Sequence, residues 1–409
     1  MQGYSGRLPA TFASLRYPNY QKWFVGQVLS LMGTWMQSVA QGWLVYQLTG
    51  SKFALGTISF IGTLPTLFLM LPGGVVADRV SKRKLMIMTQ ASMMVFAAVL
   101  AVLAWSQRLQ IWEIGVLAFL LGVTNSFDAP ARMAIVTELV DDREDLHNAI
   151  ALNAMMFNLA RVVGPAVGGL VLAAAGAAWC FALNAASFLA VLIALLLMVL
   201  PNDIARPSQR RVFADIREGL TFVAHHPVIR PIIILIGAAG LFGFSYAVLL
   251  PAYASDVVHV DEAGYGIMNA AVGMGALIGS LVVASLSRRG NRGMILTAGS
   301  IMFPLALIGM AVVRNYYVAL ALLVLVGLGF VSQNVQANTL VQTLSPDELR
   351  GRVTSFYSLM FFGTAPFGSL LAGAVAQALG TSLGVALFAT ISLIFALGVI
   401  IFAPQVRRS

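Results

Sequence analysis

Ala77-Asp78-Arg79-Val80-Ser81-Lys82-Arg83-Lys84 is echoed by Leu286-Ser287-Arg288-Arg289-Gly290-Asn291-Arg292-Gly293 at a constant offset of 209 positions. Each basic run separates two long apolar stretches, and a charge cluster of that kind marks a membrane edge between spanning helices. Two clusters in matching places mean a chain built from two related halves. Further echoes agree: Asp145-Leu146 precedes the fifth apolar stretch and Glu348-Leu349 the eleventh, while Pro165 and Pro366 lie inside the same two.

Apolar windows closed by glycine, proline or charge predict helices over 23–48, 53–76, 85–105, 111–129, 148–174 and 177–200. After a gap come 231–253, 266–286, 294–313, 316–340, 353–379 and 382–402. At about 20 residues per span plus a loop, 409 residues hold about a dozen spans. The expected fold is an all-α membrane protein of twelve transmembrane helices in two pseudo-symmetric six-helix bundles. The halves are 1–200 and 231–409, joined by a cytoplasmic linker over 201–230. The stretch 23–48 is longer than the apolar region of a signal peptide, about 7 to 15 residues, so it is expected to be retained.

Composition excludes other classes. Apolar residues make up 59% of the chain and charged ones 10%, against about a quarter charged in soluble domains. The lone Cys180 leaves no disulfide, thiolate cluster or Cys-x-x-Cys centre. A net charge of +9 would suit nucleic acid if the bases gathered on a soluble face, but they punctuate apolar runs. No Gly-x-x-x-x-Gly-Lys-Ser/Thr phosphate loop occurs, which argues against an ATP-driven pump. No catalytic constellation and no cofactor motif is present.

Twenty-one of the 25 bases fall on one set of loops, and Lys52, Arg108 and Arg314 on the other. Basic residues near helix ends stay in the cytoplasm, so both termini are expected there. Within the linker Phe213, Ile216, Leu220 and Val223 share a helical face beside Arg210, Arg211 and Arg217. An amphipathic helix on the inner leaflet and a solvated tether both fit. His225 and His226 have no carboxylate or cysteine neighbours at ligand spacing, so no metal site is expected.

In the first helix Gln27, Ser30, Thr34, Gln37 and Gln41 recur at helical spacing. Lipid would leave them unsatisfied, so they line a water-filled cavity or bond between helices. With Asn158, Gln333 and Asn334 they are candidates for a substrate cavity. Arg161 is the one base inside a span, about 20 Å from the cytoplasmic end at 1.5 Å per residue. An unpaired guanidinium at that depth costs at least about 2.5–3.5 kcal/mol. It either anchors an acceptor-rich substrate or gates, or it locks the first and fifth helices. Asp128 is the candidate proton carrier, or a structural partner of Arg132.

Gly74-Val75-Val76-Ala77-Asp78-Arg79-Val80-Ser81-Lys82-Arg83 resembles the loop signature of the major facilitator superfamily, with Ser81 where glycine is usual. Gly164-Pro165-Ala166-Val167-Gly168-Gly169 resembles the signature of that family's exporters. Phe127-Asp128-Ala129-Pro130-Ala131-Arg132 and Asn158-Leu159-Ala160-Arg161 look like the branch of enterobactin exporters and macrolide-efflux proteins. The resemblance implies gating by Asp78, Arg79 and Arg83, with Asp78 capping the eleventh helix near Arg350 to Thr354. It also implies bending at Gly164, Pro165 and Gly168. An arginine that drug-proton antiporters carry in the fourth helix is absent before Gly122, where Ala118 stands.

With that resemblance, these observations point to a secondary exporter in the inner membrane of a bacterium, moving an amphipathic, drug- or siderophore-like small molecule by alternating access. Protons are the expected coupling ion, membrane lipids the other contact, and a monomer the expected state. The alternatives are a lysolipid-like flippase of the same fold and a transport-dead membrane sensor or scaffold.

Overall fold

The structure, a computed structural model, describes residues 10–140, 142–198, 212–286 and 290–408. Arg7, Arg206, Arg210, Arg211, Arg288 and Arg289 lie outside the described residues, as do the side chains of Arg143, Phe213, Ile216, Arg217 and Arg408. A 3-10 turn, Ala10–Arg16, leads into α1 (Pro18–Thr49), α2 (Lys52–Arg79), α3 (Lys82–Trp105), α4 (Ile111–Val136), α5 (Arg143–Ala175) and α6 (Ala177–Leu197). The connecting helix is α7 (Val212–His225). The second half begins with a broken span, α8 (Ile229–Ala238), a π turn Ala239–Gly243 and α9 (Tyr246–Asp256). Then come α10 (Glu262–Leu286), α11 (Arg292–Val312), α12 (Tyr316–Leu344), α13 (Asp347–Leu379), α14 (Thr381–Phe402) and a short α15 (Gln405–Arg408).

Among the described residues eleven spans are long and apolar enough to cross a membrane, α8 and α9 counting as one. The twelfth crossing is α1, whose 32 residues are diluted by its glutamines and hydroxyls. The sharp reversals between α5 and α6 and between α13 and α14 turn on Gly176 (φ 86°) and Gly380 (φ 89°). Both positions need the left-handed region that glycine enters freely, and they occupy matching places in the two halves.

Sequence expectation ended the fourth helix at Ala129, before Pro130, yet α4 continues to Val136. Proline removes the bond that its N–H would give to the carbonyl four residues earlier, here Ser126. A Cβ built on Gly73 of α2 would stand 2.2 Å from that carbonyl oxygen. The α2 backbone therefore closes on the freed acceptor, as membrane helices do around proline.

Lipid offers helices no hydrophobic drive to associate, so close packing and interhelical bonds hold the bundles. In the first half α1 packs on α5 and α6, α2 on α4, and α3 on α6. In the second, α12 packs on α10 and α11, and α11 on α14. The halves meet along α2 with α13 and α5 with α10. The connecting helix α7 sets Gly219 against Arg352 and Phe356 of α13, bonds Glu218 to Arg352, and buries Val223, while Leu220 is exposed. The 3-10 turn docks at the matching place on α5, where Arg16 pairs with Asp145 and the Tyr17 hydroxyl donates to Asp145 at 2.8 Å.

Candidate functional site

Between the halves, the closest approaches are backbone to backbone. A Cβ on Gly266 of α10 would stand 2.5 Å from the Gly169 Cα of α5, and one on Gly373 of α13 would stand 3.0 Å from the Gly56 Cα of α2. Lower on the same seam, a Cβ on Gly273 would stand 2.6 Å from the Arg161 carbonyl oxygen, the acceptor that Pro165 leaves without its helical donor. Gly164 and Gly168 face the other way, onto Met32, Trp35 and Met36 of α1. The exporter signature thus divides its glycines: two fit α5 to its own half, and Gly169 fits it to the other.

Polar bonds across the seam cluster at the end away from the termini. Lys52 pairs with Asp256 at 2.9 Å, and the Tyr46 hydroxyl reaches both Asp256 oxygens at 2.7 and 2.6 Å. Trp43 Nε1 and Gln47 Nε2 donate to Glu262 at 3.1 and 3.3 Å, and the Trp43 ring stacks on Tyr265. The Lys52 N–H donates to Gln377 Oε1 at 2.9 Å. Hydrogen bonds to charged groups contribute about 1.5–3 kcal/mol each, and half-exposed ion pairs about 0–1 kcal/mol. Moving a two-state equilibrium from 1:99 to 99:1 takes about 5.5 kcal/mol. Most of these groups are exposed to competing water, so the latch favours closure at this end by less than the sum of those figures.

At the termini end Asp78 is exposed, with no hydrogen bond or ion pair among the described residues. The start of α13, which it was expected to cap, is occupied locally: Arg350 pairs with Asp347 at 2.6 Å and donates to the Gln342 carbonyl at 2.9 Å. Arg79 is exposed beside Asp78. Arg83 donates to the Leu196 carbonyl and Lys22 to the Leu197 carbonyl, cations set at the C-terminal end of α6. Asp128 is buried in the α3–α4 contact, where Thr89 and Gln90 donate to it at 2.8 and 2.9 Å and Arg132 Nε lies 3.8 Å away.

The polar stripe of α1 splits in two. Gln37 accepts from Asn184 Nδ2 of α6 at 2.6 Å, and Gln27 and Ser30 are buried with it. Thr34 is exposed and Gln41 half-buried, with the Thr34 hydroxyl donating to the Ser30 carbonyl at 2.9 Å. Asn158 donates to the Ala154 carbonyl. In α12 Gln333 is buried, and Asn334 donates to the Phe330 carbonyl and accepts from Tyr357.

Arg161 projects between the halves. Its Cζ lies 6.0 Å from the Trp35 ring of α1 and 5.8 Å from the Phe330 ring of α12. It is half-buried and has no carboxylate partner among the described residues. Phe330 in turn packs against Phe244, Phe303 and Phe361 at 5.6, 5.5 and 5.9 Å. Neither this ring cluster nor the latch was foreseen. The rings come from distant helices among 24 phenylalanines, so no spacing marks them. The latch left one trace, the acids Asp256, Asp261 and Glu262 near Lys52's side of the membrane in an acid-poor chain.

A family model described as transmembrane secretion effector matches residues 9–409. The multidrug efflux pump Tap of Mycolicibacterium fortuitum is 30% identical over 387 residues, covering 92% of this chain and 93% of that protein. The staphyloferrin A transporter of Staphylococcus aureus is 28% identical, covering 87% and 89%. The enterobactin exporter EntS of Salmonella typhi is 26% identical, covering 87% and 85%. A solved POT family transporter superposes with a TM-score of 0.76 at 12% identity, covering 95% of this chain and 96% of its own. With twelve crossings in two halves and a family match along nearly its whole length, the chain belongs to the transmembrane secretion effectors, transporters of the major facilitator superfamily.

Proposed function

We propose that this protein exports an amphipathic small molecule from the bacterial cytoplasm, across the inner membrane, by alternating access. The observation that carries the reading is the asymmetry along the seam: a bonded latch at one end, an unengaged Asp78 at the other, and Arg161 with its rings between them. The loop bases favour termini in the cytoplasm; in that orientation the latch is the outer gate and this conformation opens inward. The drug and siderophore exporters among its relatives supply the cargo class. The functional unit is a monomer of two bundles, 1–200 and 231–409, hinged through the 201–230 linker.

Protons supply the energy in this reading. Asp128, the carboxylate expected to carry them, is held in the α3–α4 contact by Thr89 and Gln90. Everted vesicles carrying the protein should accumulate members of an amphipathic drug panel when a proton gradient is imposed. Asp78→Asn should abolish most of that accumulation without lowering expression or detergent stability, since an exposed edge carboxylate adds little to packing. Absence of gradient-driven accumulation for the whole panel would overturn the exporter reading.

A further inference from the structure

We infer that the space between the halves is a receptor for a planar aromatic anion, with Arg161 as its charge partner and Trp35, Phe244, Phe330 and Phe361 as its walls. The inference rests on the exporter reading and narrows its cargo. Three independent features carry it.

The first is a charge with ring contacts but no acceptor. A guanidinium held deep in a bundle is expected to face a carboxylate or backbone carbonyls, yet Arg161 makes no ion pair or hydrogen bond among the described residues. Its planar fork matches a carboxylate bidentately. The second is the wall. Arg161, Trp35, Phe244, Phe330 and Phe361 are each half-buried and linked through Arg161 and Phe330 by ring contacts of 5.6 to 6.0 Å, whereas Phe303 and Tyr246 are buried. A flat conjugated acid would stack on such rings while its charge met the fork; a saturated acid would lose the stacking.

The third is the backbone that presents the wall. The π turn Ala239–Gly243 breaks the seventh span just before Phe244, whose N–H closes on the Ala239 carbonyl at 2.7 Å. A π turn inserts an extra residue and rotates the helix beyond it, and such turns recur at functional sites. Here it turns Phe244 onto Phe330 and Phe361, at 5.6 and 5.9 Å. Gly240, on the turn, is fitted against Phe361, where a Cβ would stand 2.7 Å from the carbonyl oxygen.

Binding of four naphthalene probes to the purified full-length protein in nanodiscs tests this directly: 2-naphthoate, neutral 2-naphthamide, cationic 2-naphthylmethylammonium and saturated decahydro-2-naphthoate. A charge-assisted bond in place of a neutral one corresponds to about 2- to 30-fold, and loss of one ring stack to about 2- to 12-fold. Naphthoate should bind about fivefold or more tighter than each of the other three. Arg161→Gln should erase its advantage over the amide, Arg161→Lys should keep part of it, and Phe330→Leu should erase its advantage over the saturated acid. Variants are compared only where size-exclusion profile and melting temperature match the wild type. Equal binding of all four probes, preference for the cation, no binding of naphthoate, or a preference unmoved by Arg161→Gln would each overturn the inference. Competition by chloride equal to that by naphthoate would do the same, because it would make Arg161 a site for any small anion. Naphthoate selectivity without drug accumulation in vesicles would sink the exporter reading and leave the receptor standing. Accumulation without selectivity would do the reverse.

Discussion

The two ends of the seam between the halves are held in different ways. At the far end α1 and α2 reach α9, α10 and α13 through Asp256, Glu262 and Gln377, with glycine backbones in contact beneath. At the termini end the charged side chains serve their own half: Arg83 closes α6, Arg350 closes the α12–α13 turn, and Asp78 stands free in solvent. The difference teaches that the conformational preference lives in a few replaceable contacts at one end. The loop signature around Asp78 sits at the other end, and its carboxylate is unengaged in this conformation.

The largest effect should come from filling the glycine contact. Gly266→Val places a branched side chain where backbone already lies 2.5 Å from a Cβ. Overpacking of that kind costs about 1–3 kcal/mol, equivalent to about a 5- to 150-fold shift between states. Labelling of a cysteine at Gln41, in a Cys180→Ser background, by an impermeant thiol reagent from the far side should accelerate accordingly. An unchanged labelling rate would mean that the halves already part there.

A smaller shift should result from Asp256→Asn, which removes the Lys52 ion pair and weakens the Tyr46 bonds while keeping the shape. About 1 kcal/mol, or about fivefold faster labelling at Gln41, is expected for partly exposed groups. Asp347→Asn, which touches only the local Arg350 pair at the termini end, should leave that rate alone. Equal effects from both substitutions would erase the contrast between the ends.

Much of the architecture was legible from the sequence because hydropathy, loop bases and the 209-position echo are one-dimensional signals. The broken seventh span was not, since the π turn lies in uniformly apolar sequence, Ala239-Gly240-Leu241-Phe242-Gly243. Periodicity put five polar residues on one stripe of α1, but it could not say that Gln37 would meet Asn184 while Thr34 stayed exposed and bonded only to its own helix. Partner identity depends on helices far away in the chain. The same holds for Arg161: its depth came from counting residues, whereas its aromatic neighbours did not.

The smallest effect concerns His226, at the junction of α7 and α8. Its Nδ1 accepts the N–H groups of Val228 and Ile229 at 3.2 and 3.1 Å, in the manner of a helix cap. Burial lowers its pKa below the usual 6.5. A group whose folded pKa is depressed contributes stability above its unfolded value and loses it as pH falls through the folded one. The melting temperature should therefore decline as pH drops below about 6.5, and His226→Asn, which still caps, should lack that part of the decline. Identical pH profiles would remove His226 from the junction's stability.

Alternating opening about the Arg161 site is tested most directly by two spin-label distances in the reconstituted protein, Cys180→Ser. One pair replaces Phe53 and Leu379, both exposed at the latched end; the other replaces Arg79 and Gly351, exposed at the termini end, where a Cβ on Gly351 meets open space. Asp256→Asn, or a transported drug with a proton gradient, should lengthen the first distance and shorten the second in the same population. Two distances that stay fixed during transport, or that lengthen together, would contradict a mechanism in which one end closes as the other opens.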